Sequence, residues 1–223
     1  ASGDAGINSS YISGVEIRIF EESSIDDLKG TAGKSKLINA PFISQVGSYP
    51  TGCESVSTVM ALQHSGLNIS VDDFIDSYLE KGSANSFDPN ICFGGDPKST
   101  SGMGCYSPVI EKAAKKALIG KRTTVKLVSG LSLKELCEEY IDRGVPVIVW
   151  ATIYMQKAAT GKKITYEDRI IQWISPEHCL LLVGYDEDNY IFNDPQKSAA
   201  ATYYTRNASE NAYCALGCQA VVI

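Results

Sequence analysis

Apolar positions in this chain fall first into helical spacing and later into short continuous runs. Val56, Val59, Met60 and Gln63 recur three and four residues apart, the period of one helix face, and Gly66 supplies a stop. Ser70 and Asp73 have the spacing of a capping box for a second helix with Phe74, Tyr78 and Leu79 inward, expected to end at Gly82. Ser107-Pro108 opens a third helix to about Leu118, because proline is tolerated in a first turn. Ser132 and Glu135 cap a fourth, which closes at Gly144.

Strand-like text follows, after one strand suggested by Val125 and Leu127. Residues 145–153 form a buried run, then come a polar Lys/Thr-rich stretch, residues 170–174, the run 179–185, a turn at 186–189 and residues 190–192. Helices first and strands later predict an α+β fold with segregated layers and an antiparallel sheet, not a doubly wound one. Residues 1–36 are polar and Gly/Ser-rich, except that Val15, Ile17 and Ile19 alternate as one short half-buried strand would. They read as an N-terminal extension ahead of a domain over 37–223. Residues 83–106 read as a long Gly/Asp/Ser/Pro-rich loop, expected to border a cleft.

Composition narrows the function. The 223 residues are 44% hydrophobic, enough for one substantial core. A net charge of −6 with scattered basic residues argues against nucleic acid as a partner, since phosphate contacts need clustered Lys and Arg. No run approaches the roughly 18 apolar residues of a membrane helix, so no membrane insertion of this chain is expected. Ala1 is no initiator, which leaves room for a leader or anchor ahead of it, and the expected location is secreted or cell-surface.

Seven cysteines cannot all pair internally. Cys137 and Cys179 read as core, whereas Cys92 with Cys105 and Cys214 with Cys218 are possible pairs in loop-like sequence. With two histidines and no paired Cys-x-x-Cys spacing, neither a zinc site nor another cofactor is expected.

The remaining cysteine, Cys53, follows the turn-forming residues 47–52 and opens the first helix. Free amides and the positive end of a helix dipole lower a thiol pKa, so that position suits a nucleophile. Its base is found by elimination. His64 lies eleven residues along the same helix, about 16 Å away, which leaves His178.

A third group must hold the imidazole, and Asp194 in Asn193-Asp194-Pro195 is the candidate, with Asn193 second. A three-residue turn at 185–187 would set residues 178 and 194 opposite each other on one face. A two-residue turn at 187–188 would set Asp194 opposite Leu181 and require a bulge or bend.

The segments Pro41-Phe42-Ile43-Ser44-Gln45, Thr51-Gly52-Cys53-Glu54-Ser55, Glu177-His178-Cys179-Leu180-Leu181-Leu182-Val183-Gly184-Tyr185-Asp186 and Asn193-Asp194-Pro195 resemble the signature blocks of the bacteriocin-processing, C39-like cysteine peptidases of the papain-like superfamily. Phe93-Gly94-Gly95-Asp96-Pro97 and Ser107-Pro108-Val109-Ile110 resemble the middle of stand-alone members. The resemblance spans roughly residues 37–197 and departs from papain proper in placing Glu54 after the cysteine, where an aromatic usually stands. It implies a papain-like fold, a Cys53, His178, Asp194 triad, Gln45 as oxyanion donor and a peptide or protein substrate. An acyl transferase or amidase on the same residues, and an inactive peptide-binding domain, are the competing functions.

Overall fold

The computed structural model describes residues 11, 12, 15, 16 and 35–223. β1 (Tyr11–Ile12) and β2 (Val15–Glu16) pair antiparallel. Val15 lies in that ribbon, and Ile17 and Ile19 of the strand expected there lie outside the described residues. β3 (Lys36–Leu37) leads to a helical half: α1 (Cys53–His64), α2 (Val71–Ser77), the short β4 (Lys81–Gly82) and β5 (Phe93–Gly94), and α3 (Ser107–Ala117). β6 (Lys126–Ser129) and α4 (Leu133–Glu139) lead to β7 (Val147–Thr152). The hairpin of β8 (Ala159–Tyr166) and β9 (Arg169–Ser175) precedes β10 (Glu177–Tyr185), β11 (Asn189–Asn193) and β12 (Thr202–Thr205). The chain ends with α5 (Arg206–Ala215) and β13 (Gln219–Val222).

Seven strands form the main sheet in the order β12-β11-β10-β7-β13-β6, with β3 also on β10, and every pairing in it is antiparallel. The fold is the expected α+β type. All six residues of β7 are buried, as a central strand covered on both faces requires. α1 packs on β10, where the Ser57 hydroxyl donates to the Cys179 carbonyl at 3.1 Å. The helix carrying Cys53 and the strand carrying His178 are thereby clamped together.

Three sequence expectations need correction. α2 stops at Ser77, and Gly82 is no helix stop: it pairs with Gly94 in a short parallel bridge, where a Cβ would sit 2.6 Å from the Cys92 sulfur. The polar stretch after β7 is a strand, β8, whose hairpin with β9 stands off the main sheet. Helices do not all precede strands, since α5 follows β12 and the last strand, β13, inserts between β7 and β6.

Candidate active site

Cys53 is the first residue of α1, and packing demands the glycine before it. A Cβ on Gly52 would stand 2.8 Å from Tyr49 Cβ and 3.3 Å from Pro97 Cβ. No side chain caps this helix, so its first-turn amides and positive dipole end surround Cys53. Cys53 is 7% exposed, and its thiol is pushed well above its ordinary pKa, first by burial and then by the nearby Glu54 and Glu177.

His178 and Asp194 are both fully buried. Next to the turn, Tyr185 pairs with Tyr190 and Gly184 with Ile191, the register of a two-residue turn at 187–188. A bulge between Leu182 and Gly184 then shifts the pairing to Leu182 with Phe192 and Leu181 with Asn193. Without that shift Asp194 would fall opposite Leu181, on the face away from His178; with it, Asp194 falls opposite Leu180, on the same face. The side chains bridge the two-residue offset, and His178 Nε2 meets Asp194 Oδ1 at 2.8 Å.

Asp194 is held from three directions. Its Oδ1 also accepts the Gln196 N–H at 2.9 Å, and its Oδ2 accepts the Tyr204 hydroxyl at 2.7 Å. Burial alone would raise its pKa, but His178, Tyr204 and the Gln196 amide outweigh burial and hold the carboxyl below its usual range. With an ionised Asp194 on Nε2, that nitrogen carries the ring hydrogen and a neutral imidazole presents its lone pair at Nδ1. Asn193 is used elsewhere: its amide donates to the carbonyls of Ala40 and Pro41 at 3.3 and 3.0 Å.

Nδ1 of His178 is buried and has no hydrogen-bond partner. No hydrogen bond joins the Cys53 thiol to that nitrogen in this conformation; Cys53 Sγ donates to Glu54 Oε2 at 3.3 Å. An adjacent carboxylate is a strong competing acceptor. Gln45, 3% exposed, directs its amide nitrogen at the carbonyls of Tyr49 and Pro50, at 3.2 and 3.4 Å, over the turn that ends at Cys53. Its backbone N–H donates to Pro195 O at 2.8 Å, which ties this segment to the residue after Asp194. His64 is remote in role, with Nε2 3.1 Å from the Gly144 carbonyl.

The 83–106 loop lies against the neighbours of Cys53. Cys105 N–H donates to Glu54 Oε1 at 2.7 Å, and the Thr51 hydroxyl donates to Ser99 O at 3.0 Å. The β8–β9 hairpin packs on this loop through Trp173, whose ring stacks on Tyr106 at 5.3 Å between centroids, and through the ion pair of Arg169 and Asp88 at 3.1 Å. Cys53, Glu54 and Glu177 bring one donor atom each within 4.8 Å of one another. Glu54 already turns one oxygen to an S–H and the other to an N–H, so the cluster reads as hydrogen bonding and not as a metal centre.

Sequence reasoning missed Tyr204, Glu54 and Glu177. Tyr204 gives no signal from ten residues beyond Asp194. The two glutamates adjoin Cys53 and His178 in sequence, but adjacency alone does not put both carboxyls in one pocket.

Residues 37–221 match the model of the Peptidase_C39 like family. The chain belongs to that family. The uncharacterized protein YvpB of Bacillus subtilis (strain 168) is 26% identical over 208 residues, which cover 91% of this chain and 81% of that protein. A crystal structure from Bacillus anthracis, described as a C39-like peptidase, superposes with a TM-score of 0.75 at 25% identity, covering 84% of this chain and 96% of that one. The C39-like α+β fold expected from the sequence is the fold of this chain.

Proposed function

We propose that this chain is a cysteine peptidase that hydrolyses peptide bonds through a thioester, with residues 37–223 as its catalytic domain. Cys53 gives its proton to His178 Nδ1 and attacks the scissile carbonyl carbon. The Cys53 backbone N–H receives the resulting oxyanion, joined by the Gln45 amide once its nitrogen leaves the Tyr49 and Pro50 carbonyls. The imidazolium then protonates the leaving amine. In the second half, His178 takes a proton from water, whose hydroxide attacks the thioester and releases the acid and the thiol. Asp194 holds the tautomer throughout.

The observation that carries this reading is the buried His178–Asp194 pair at 2.8 Å with Nδ1 left unpartnered, on the strand clamped to the Cys53 helix. For Cys53 to reach Nδ1 its side chain must turn away from Glu54, a rotation between staggered wells about one bond. Product analysis of peptide digests with and without an added amine tests the reaction class. Free carboxyl termini in both arms support hydrolysis, and amide products that dominate when amine is present would assign an acyl transferase instead.

A further inference from the structure

Both oxygens of Glu54 accept hydrogen bonds, Oε2 from the Cys53 thiol at 3.3 Å and Oε1 from Cys105 N–H at 2.7 Å. Glu54 is fully buried. A second carboxyl comes to the same place: a Cβ on Gly104 would lie 2.7 Å from Glu54 Oε1 and 2.9 Å from Glu177 Oε2. Glu177 Oε1 is itself buried and unpartnered. The other titratable groups around the pair are Cys179 and His178 from β10 and Cys105 and Tyr106 from the loop, and among the described residues no Lys or Arg pairs with either glutamate.

Two carboxyls this close, one fully buried and the other partly so, with no cation beside them among the described residues, oppose double ionisation. Because both Glu54 oxygens face donors and Glu177 Oε1 faces none, Glu54 is the member that carries the charge and Glu177 the one that keeps its proton. The pKa directions agree: burial lifts Glu54 to about 7 and Glu177, which also feels Glu54, well above the ordinary carboxyl range.

We infer that the Glu54–Glu177 pair is a proton-controlled latch on the nucleophile, Glu54 acting as a positioning residue that keeps the Cys53 thiol protonated and turned away from His178. The inference rests on the reading of Cys53 as nucleophile and His178 as its base. When Glu54 is ionised it accepts the S–H, and its charge opposes a neighbouring thiolate. When the pair takes up one more proton, Glu54 no longer attracts the S–H. The thiol is then free to turn and pass its proton to Nδ1, giving a thiolate–imidazolium pair. The latch is closed above neutral pH and opens on the acid side. The dipole end of α1 that favours a thiolate and the carboxylate that opposes it thus act on one sulfur, and protonation decides between them.

The test uses the full chain and iodoacetamide, with labelling at Cys53 followed by peptide-level mass spectrometry from pH 5 to 9. Glu54→Gln should label at the wild-type rate near pH 5.5 and at least about tenfold faster at pH 8, since removing the charge lowers the thiol pKa by a unit or more. A Glu54→Gln profile that parallels wild type across the range overturns the latch. Glu177→Gln keeps the test open should Glu54→Gln not fold. It should leave the neutral step of the wild-type profile in place, because Glu177 stays protonated on both sides of that step, and a step displaced or lost in Glu177→Gln would put the charge on Glu177 and overturn the latch. Labelling needs no substrate, so failure to cleave any peptide would remove the peptidase reading and leave this profile intact.

Discussion

Tyr204 donates its hydroxyl at 2.7 Å to the Asp194 oxygen that His178 does not use. The carboxylate is therefore held by two side chains, one on each oxygen, and the imidazole inherits that orientation. Asp194→Asn, which can reverse the tautomer, should lower kcat/KM by roughly 10³–10⁴. Tyr204→Phe, which frees one carboxylate oxygen, should cost about tenfold. Steady-state kinetics on one cleaved peptide compare them, and an Asp194→Asn protein as active as Tyr204→Phe would remove Asp194 from the mechanism.

Gly184 adjoins the bulge and lets β3 approach β10. It pairs with Ile191 of β11 and with Leu37 of β3, and a Cβ there would strike the Lys36 carbonyl. Gly184→Ala should destabilise the fold by about 2–4 kcal/mol and misplace Asp194. Urea unfolding measures the first effect and residual turnover the second. An unchanged midpoint with full activity would show that β3 yields at no cost.

Continuous apolar runs made β7, β10 and β11 legible, and elimination between two histidines made His178 legible. The Asp194 pairing was legible as two registers, one of which needed a bulge. Nothing in the apolar sequence of 179–185 says where a bulge falls, because a run buried on both faces carries no alternation that would mark the change of face. α5 was illegible because its inward face carries Arg206, Ser209 and Glu210 beside Ala212 and Tyr213, which hides the helical period. Glu210 is spent on other elements: its oxygens accept the Leu133 and Lys134 amides at 3.1 Å each, capping α4, and the Tyr190 hydroxyl at 2.7 Å. β13 was missed because a four-residue apolar end gives no period to read.

The buried glutamates also make stability depend on pH. The folded-state pKa of Glu54 is raised, first by burial, to about 7, above an unfolded value near about 4.3. Its contribution is present below the unfolded value and is lost as pH rises through the folded one; Glu177 and Glu210 act in the same sense. Asp194 has the opposite sign, since its lowered pKa gives stability that is lost in acid. Stability should fall by at least about 2–3 kcal/mol between pH 5 and 7.5, the share of Glu54 alone, and Glu54→Gln should lessen that slope. Denaturant midpoints across the range check it, and a wild-type stability that rises from pH 5 to 7.5 contradicts it.

Gln45 and Gln63 form a matched pair for the oxyanion assignment. Gln63, on α1, donates its amide to Ile69 O at 2.9 Å, away from the turn before Cys53. Gln45→Ala should lower kcat about a hundredfold or more with little change in KM, and Gln63→Ala should leave turnover near wild type. Equal turnover in the two variants would leave the second oxyanion donor unassigned.

The most direct measurement is digestion of a proteome-derived peptide library by the pure chain below neutral pH, read by mass spectrometry beside Cys53→Ala and His178→Ala. New termini should appear with the wild-type protein and with neither variant. No cleavage by the wild type, or cleavage that persists in Cys53→Ala, would contradict the peptidase assignment.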